Sequence, residues 1–301
     1  MMIAMLFQIL LQVVVPAALV VVLWTDRPAS RGQWLLKLLA LAAVLLFLVL
    51  TARWDFTSYY LRLAWPLLLI AAAARGFWRS SAPAAGSRSS SSAVSAVLGL
   101  GFLALSVLAL RGHVAPGPAL ELSHPLRAGT YYVGGGGNAR LINNHQVHEP
   151  QKFALDIVRL NAFGNRASGL LPDALERYAI FGDTVYSPCT GTVVLAVDGL
   201  ADQRPPQRDR RNLAGNHVVL ACSGAKVVLA HLKQGSVAVA TGAGVREGDV
   251  LGQVGNSGNS SQPHLHLHAE RGGGPDAILT GHGVPIRLNG RFLVRNSIFR
   301  E

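Results

Sequence analysis

Four long apolar runs occupy the first third of the chain and restrict how it can fold. The first, IAMLFQILLQVVVPAALVVVLW at residues 3–24, contains no charged residue, and further runs follow at residues 35–52, 59–74 and 93–110. An α-helix of about 20 apolar residues crosses a bilayer, and it satisfies its own backbone polar groups. The sequence therefore predicts an N-terminal α-helical membrane region of about four spans, within residues 1–112.

Two of the runs have alternative interpretations. A cleaved signal peptide is the alternative for the first run, but no basic segment precedes it and no small-residue cleavage site follows. The third run contains Arg62 and Pro66, which weaken its pattern. If the third run does not span, the rest of the chain lies on the opposite side of the membrane.

Positive charge between the runs predicts an orientation. The loops after the first and third runs share an excess of basic residues: Arg27, Arg31, Lys37, Arg75, Arg79 and Arg88. Basic loops stay on the cytoplasmic side. With four spans, both termini and residues 113–301 are then predicted to lie outside the cytoplasm.

The net charge of +11 does not by itself indicate a nucleic-acid partner. Residues 1–110 hold eight of the 27 Lys and Arg residues but only two of the 16 Asp and Glu residues. The charge imbalance is therefore greatest in the apolar region, where it is typical of topology signals. We expect no nucleic-acid partner.

Residues 113–301 have the pattern of an all-β domain. Short runs rich in Val and Leu, such as GTVVLAV and AKVVLAHL, alternate with glycine turns. This pattern is typical of many short strands in a barrel or a sandwich. Cys189 and Cys222 are too few for a disulfide scaffold; they either pair in an oxidising compartment or remain as two buried thiols.

The most unusual short segment is PHLHLHAE, near the end of the all-β region. A strand places alternate side chains on one face, so His264, His266 and His268 are predicted to share a face. Asp156 lies inside an apolar run at residues 153–158, where an isolated carboxylate is costly unless it is paired or binds a metal ion. His231 ends another apolar run.

These residue types fit a catalytic zinc site. Two histidines and one carboxylate can hold Zn²⁺ and leave a fourth position open for water, while further histidines act as a base or stabilise an oxyanion. The alternatives are a polar strand face at the surface and an Asp156 that pairs with Lys152 or Arg159. We predict that His268 is a bystander. The alternative is that it contacts one of the metal-ligating residues without binding the metal ion itself. Three other histidines are predicted to be ordinary surface or turn residues: His148, His217 and His282.

The order of several motifs resembles a known family. FGDTVYSPCTGTVV, LAHLKQGSV and VREGDVLGQVGNSGNSSQPHLHLHAE follow one another in this chain. Together they resemble the lysostaphin/LytM-type zinc metallopeptidases, a group of peptidoglycan endopeptidases. The resemblance covers residues 129–270, within a predicted LytM-like zinc peptidase domain at 113–301 (core about 129–275). It implies an all-β, antiparallel-sheet domain with a groove.

The resemblance also implies roles for particular residues. The metal ligands would be an early histidine, Asp156 and His266. A subgroup of the family has an Asn-x-His motif before Gln-Arg-Tyr-Ala-x-Asp, and NNHQVHEPQKFALD is similar to it with His145 as the early ligand; His148 is the alternative. By the same resemblance, His231 and His264 would be catalytic.

The implied function is zinc-dependent hydrolysis of peptide crosslinks or stem peptides of peptidoglycan. The chain would be a multi-pass protein of the bacterial inner (cytoplasmic) membrane, with its C-terminal domain in the periplasm or outside the cell. A catalytically inactive LytM-like scaffold that binds or activates other cell-wall enzymes is the alternative. A lipoyl or biotinyl carrier domain is disfavoured, because neither Lys226 nor Lys233 has the Met-Lys or Asp-Lys context of a modified lysine.

Overall fold

The computed structural model describes residues 2–26, 30–79, 90–274 and 277–301. It divides into two compact units, Met2–Leu110 and Arg111–Glu301. The sequence-based boundary between residues 112 and 113 stays a prediction. Of the residues used to predict orientation, Arg27 and Arg88 lie outside the described residues.

The first unit is α-helical. Its helices are α1 (Met2–Ile9), α2 (Val15–Thr25), α3 (Arg31–Thr51), α4 (Tyr59–Arg79) and α5 (Ser90–Arg111), with a π-helical stretch at Leu10–Val14 between the first two. Four stretches are long and apolar enough to cross a membrane: Met5–Thr25, Arg31–Thr51, Tyr59–Trp78 and Ser92–Arg111. The prediction of four apolar N-terminal helices is therefore confirmed.

Apolar side chains cover much of the helical unit's outside. Leu67, Ile70 and Leu100 are each more than 60% exposed, as expected where lipid replaces water as the solvent. In α4, Pro66 lies within the helix. The Arg62 guanidinium donates from Nε to the Val49 carbonyl at 3.0 Å. Neither the proline nor the arginine prevents a continuous α4.

The second unit is built from short strands. These are β1 (Leu120–Leu122), β2 (Thr130–Gly135), β3 (Leu155–Leu160), β4 (Thr184–Tyr186), β5 (Gly191–Val197), β6 (Asn216–Cys222), β7 (Ala225–Leu232), β8 (Gly244–Val245), β9 (Val250–Gln253), β10 (Leu265–Arg271), β11 (His282–Val284), β12 (Ile286–Leu288) and β13 (Ile298–Arg300).

Nine of these strands form one antiparallel sheet. Its order is β13-β2-β3-β10-β7-β6-β5-β8, with β11 paired to β10. Two small ladders, β4-β9 and the parallel pair β1-β12, complete the unit. The prediction of an antiparallel-sheet domain is confirmed. The sheet order is an open path, so the described strands do not close into the barrel that the strand pattern allowed.

Alternation along the central strands separates a face that packs into the hydrophobic core from a second face. Leu265 and Leu267 of β10 join the hydrophobic core together with Leu155 and Ile157 of β3. Full burial of each such side chain stabilises the fold by roughly 1.5–3 kcal/mol. Because side chains alternate, the residues between them, including His266, point to the other face.

A disulfide links Cys189 to Cys222, and 33 positions separate the two residues in the sequence. Cys189 lies just before β5, and Cys222 ends the neighbouring strand β6. The alternative of two free thiols is therefore wrong. Disulfides persist in oxidising compartments.

We expect reduction of this disulfide to lower the free energy of unfolding of the β unit by about 3–4 kcal/mol, because the crosslink restricts the unfolded chain. Urea unfolding of the full-length protein in detergent, followed by pulse proteolysis, measures this change. A Cys189→Ala/Cys222→Ala variant should be equally destabilised and should no longer respond to dithiothreitol. Equal stability of oxidised and reduced protein would contradict the prediction.

Candidate metal centre

The register of two adjacent strands places a carboxylate against an imidazole. Asp156 on β3 lies directly opposite His266 on β10, and His266 Nδ1 lies 3.0 Å from Asp156 Oδ1. The Asp156 side chain is 15% exposed and that of His266 is 6% exposed. A largely buried carboxylate that faces a nitrogen donor is a natural anchor for a metal ion.

A short turn brings a second imidazole to the same carboxylate. His145 lies in a 3₁₀ helix, Asn144–Val147, and its backbone N–H donates to Asn143 Oδ1 at 3.0 Å. The Asn143 side chain is fully buried and donates to the Gly137 and Lys152 carbonyls. This anchoring holds His145 Nε2 at 2.9 Å from Asp156 Oδ2 and at 3.0 Å from Oδ1.

Gly135 leaves space for the carboxylate. It pairs with Asp156 where the register between β2 and β3 shifts. A Cβ at this position would lie 3.1 Å from Asp156 Oδ2 and 3.1 Å from Asn144 Oδ1, which is closer than most real contacts of this kind. The sequence interpretation missed this residue, although the run GGGG at residues 134–137 is a visible signal.

The three groups together form a possible ligand set. One ligand atom each from His145, Asp156 and His266 lies within 4.8 Å of the others. Two imidazole nitrogens and one carboxylate oxygen are the donor set of hydrolytic metal sites that keep a coordination position open. The residues present therefore fit a divalent metal ion, and their roles as ligands stay a prediction.

The pKa directions describe a carboxylate that stays ionised among imidazoles. Burial would raise the pKa of Asp156, but the adjacent His145, His264 and His266 outweigh it and hold this pKa well below its usual value. Burial lowers the pKa of His266 to about 4. Burial also opposes protonation of His145, but the Asp156 carboxylate dominates and raises its pKa. A cation would compete with protons for these groups.

Two further imidazoles border the ligand set. His231 Nδ1 lies 2.9 Å from the Ser257 carbonyl, and His264 Nδ1 lies 2.9 Å from the Gln262 carbonyl. Because a carbonyl only accepts, each Nδ1 carries a proton, and in a neutral ring the Nε2 lone pair is then available. The two ring centroids are 4.9 Å apart, and His264 Nε2 is 3.5 Å from Asp156 Oδ1.

His231 has an unusual backbone conformation. Its φ angle is +64°, a region that non-glycine residues rarely adopt and that concentrates at functional sites. The residue is buried, and burial together with the His264 and His266 imidazoles lowers its pKa well below the usual value. His231 is thus a neutral base candidate. His231, His264 and His266 also form a second group whose ligand atoms lie within 4.8 Å of one another.

His268 does not stand apart from this cluster. Its Nδ1 lies 3.0 Å from His266 Nε2 and its side chain is buried, so it has the contact that the alternative interpretation described, and its role stays a prediction. Burial lowers the pKa of His268 well below the usual value. His217 is buried on β6 and is not a surface residue either. For His268, the available signal in the sequence was its alternation with Leu265 and Leu267, which predicts a strand that packs against the core.

A cleft of about 520 Å³ opens beside the cluster. Val228 and Ala230 of β7 contribute to its lining together with His266 and His268, and Leu213 and Ile278 are among the apolar residues that also line it. His148 lines the cleft as well but is exposed and outside the described ligand groups. The lining of the cleft therefore combines imidazoles with apolar side chains.

Comparison with known proteins adds a family assignment. Residues 176–277 match the model for Peptidase family M23. This range includes His231, His264 and His266, but it begins after His145 and Asp156. No curated protein matches the chain.

Solved structures with similar regions include three peptidases. The catalytic domain of the antimicrobial peptidase lysostaphin from Staphylococcus simulans is 22% identical, with 33% of this chain and 66% of that chain covered and a TM-score of 0.25. A putative peptidase M23 from Pseudomonas aeruginosa is 20% identical, with 55% and 50% covered and a TM-score of 0.30. A zinc-containing peptidase from Vibrio cholerae is 18% identical, with 38% and 46% covered and a TM-score of 0.24. The chain covers less than two thirds of each of these structures.

The two candidate early ligands can be separated by substitution. We expect His145→Ala to lose bound metal, because it removes one of three donors, whereas His148→Ala should retain it. Metal content of the full-length variants, purified in detergent after equilibration with Zn²⁺, measures this difference. Loss of metal from His148→Ala together with its retention by His145→Ala would reverse the assignment.

Proposed function

Since the chain carries a domain of peptidase family M23, we propose that it is a membrane-anchored zinc endopeptidase that hydrolyses peptide crosslinks or stem peptides of peptidoglycan outside the cytoplasm. The observation that supports this most directly is the convergence of His145, Asp156 and His266 at one cleft. These residues come from three separate segments of the chain.

The proposed ligands have distinct tasks. His145 Nε2 and His266 Nδ1 would each give a lone pair to Zn²⁺, and Asp156 would supply the negative charge. When bound, Zn²⁺ lowers the pKa of water and polarises a carbonyl group.

His231 and His264 would handle protons. Each has an Nε2 lone pair directed away from the carbonyl that holds its Nδ1–H. One of them can accept a proton from the attacking water, and the resulting imidazolium can return it to the leaving amine nitrogen. The other can donate a hydrogen bond to the developing oxyanion if it is protonated. The short distance between the rings lets both reach the same scissile bond.

The location outside the cytoplasm has two independent supports. Basic residues cluster in the first and third loops of the helical region, which is typical of cytoplasmic loops. The Cys189–Cys222 disulfide is typical of a periplasmic or external domain. A peptidoglycan substrate then implies a bacterial inner membrane.

A catalytically inactive scaffold that binds or activates other cell-wall enzymes is the second candidate. Ten residues lie between His145 and Asp156. The commonest arrangement in the family that this chain resembles has three residues between these ligands, and this difference favours the inactive scaffold. An inactive scaffold should hold no stoichiometric zinc and should cleave nothing.

We expect purified full-length protein to cleave crosslinked peptidoglycan and to stop when a chelator removes zinc. His231→Ala and His264→Ala should each lower kcat by about 10²- to 10⁴-fold while retaining zinc, because they remove proton transfer and not a ligand. Muropeptide analysis gives the rate, and His148→Ala is the matched control. Chelator-resistant cleavage, or full activity in both variants, would refute the proposed mechanism.

The orientation can be tested with alkaline phosphatase, which folds only outside the cytoplasm. We expect activity from fusions after residues 112 and 301 and none from a fusion after residue 84, which the charge pattern places inside. The reverse result would show that the β unit faces the cytoplasm. That outcome would exclude peptidoglycan as the substrate.

A further inference from the structure

A buried ion pair joins two central strands beside the cleft. Glu270 on β10 lies opposite Lys226 on β7, two residue pairs beyond His268 and Val228, which line the cleft. Lys226 Nζ lies 3.2 Å from Glu270 Oε1, and the two side chains are 13% and 0% exposed. Moving both charges out of water is costly, and a buried pair seldom stabilises a fold more than apolar residues do. Stability alone therefore does not account for this pair.

Both charged groups also hold backbone groups of the segment that follows β10. Lys226 Nζ donates to the Gly274 carbonyl at 2.9 Å and to the Ala277 carbonyl. Glu270 Oε2 accepts from the Gly281 N–H at 3.0 Å. These bonds fix the backbone of the segment against the sheet.

Two apolar residues of this segment, Ile278 and Leu279, line the cleft. Ile278 packs against the apolar cluster formed by Val219, Val228 and Ala230. Leu279 has a φ angle of +62°, a conformation that bulky residues rarely adopt and that concentrates at functional sites. The ion pair thus anchors a segment that carries a strained leucine at the wall of the cleft.

This part of the cleft wall is aliphatic. The side chains of Val228, Ile278 and Leu279 have no hydrogen-bonding group, so a charged substrate side chain would lose water beside them without gaining a partner from them. An aliphatic substrate side chain instead gains about fourfold in affinity for each methyl group that it buries. The chemistry of the wall therefore selects for aliphatic side chains.

We propose that Lys226 and Glu270 are positioning residues that hold Ile278 and Leu279 as the wall of an apolar subsite. This subsite takes an aliphatic side chain of the peptide substrate. The assignment of a peptide as the ligand rests on the proposed endopeptidase function, whereas the preference for an aliphatic side chain can be measured without cleavage.

Binding of short peptides to the full-length protein in detergent tests the subsite. A chelator removes zinc, so that binding is measured in the absence of hydrolysis. We expect fluorescently labelled tetra-alanine to bind at least about fourfold more tightly than labelled tetraglycine, because one buried methyl group contributes about this factor. Fluorescence anisotropy gives both affinities. Equal affinities, or no binding of either peptide, would overturn the proposal whether or not the protein cleaves peptidoglycan when zinc is present.

A substitution of Leu279 separates the subsite from the intrinsic difference between the two peptides. Asparagine accepts a positive φ angle, so Leu279→Asn keeps the backbone conformation and removes the apolar side chain. We expect the preference for tetra-alanine to fall below about twofold. Val250→Asn is the matched control, because Val250 is an exposed apolar residue that does not line the cleft, and it should keep the preference. An unchanged preference in Leu279→Asn would refute the subsite.

The positioning role is tested by removing both charges together. We expect Lys226→Met/Glu270→Gln to lose the preference for tetra-alanine and to keep its Zn²⁺ affinity within a few-fold, because neither residue belongs to the ligand set. The same changes at a more exposed pair, Lys152→Met/Glu149→Gln, should keep the preference. Retention of the preference in the first double variant would refute the positioning role.

Hydrogen exchange of the wild-type protein decides the positioning role if that double variant does not fold. The Gly281 N–H donates to a buried carboxylate oxygen, so we expect it to exchange at least about tenfold more slowly than in an unfolded peptide. Exchange at the rate of an unfolded peptide would show that Glu270 does not hold the segment.

Discussion

The histidine cluster on the second face of the β unit depends on one carboxylate, Asp156, held among imidazoles. An isolated charge at this position would be costly, and loss of a partner from a buried charge typically destabilises a fold by about 3–5 kcal/mol. Here His145, His264 and His266 surround the carboxylate and keep its pKa well below the usual value. The same arrangement stabilises the fold at this point and creates an attractive site for a cation.

Small residues make that arrangement possible. Gly135 lies beside Asp156 on one neighbouring strand, and Ala230 lies beside His266 on the other. A larger side chain at position 135 would meet the carboxylate. Because neither residue fills the space above the sheet, the imidazoles can converge there and the cleft can continue across β7.

A second layer of hydrogen bonds orients the imidazoles around Asp156. The Ser257 and Gln262 carbonyls hold the Nδ1–H groups of His231 and His264. Asn143 anchors the turn that carries His145. Because a backbone carbonyl only accepts, these two contacts select one tautomer and one orientation for the His231 and His264 rings, whereas Asn143 fixes the backbone of the turn and not the His145 ring.

The sequence by itself determined the helical region and the β-strand character of the remainder. Uncharged runs of spanning length have few alternatives to helices in a bilayer, and alternation of leucine with histidine separates a core face from a polar face. The sequence also singled out Asp156 as a carboxylate in an apolar run. These features are local, so neighbouring residues in the chain are enough to reveal them.

Only the tertiary structure decided which of these residues meet. The register between β3 and β10 placed His266 opposite Asp156, and the anchored turn brought His145 and not His148 to the carboxylate. His268 looked like a bystander from its sequence position, yet it lies directly behind His266. Strand pairing and loop anchoring join residues that are distant in the chain, and no local pattern specifies the register or the side-chain contacts that result.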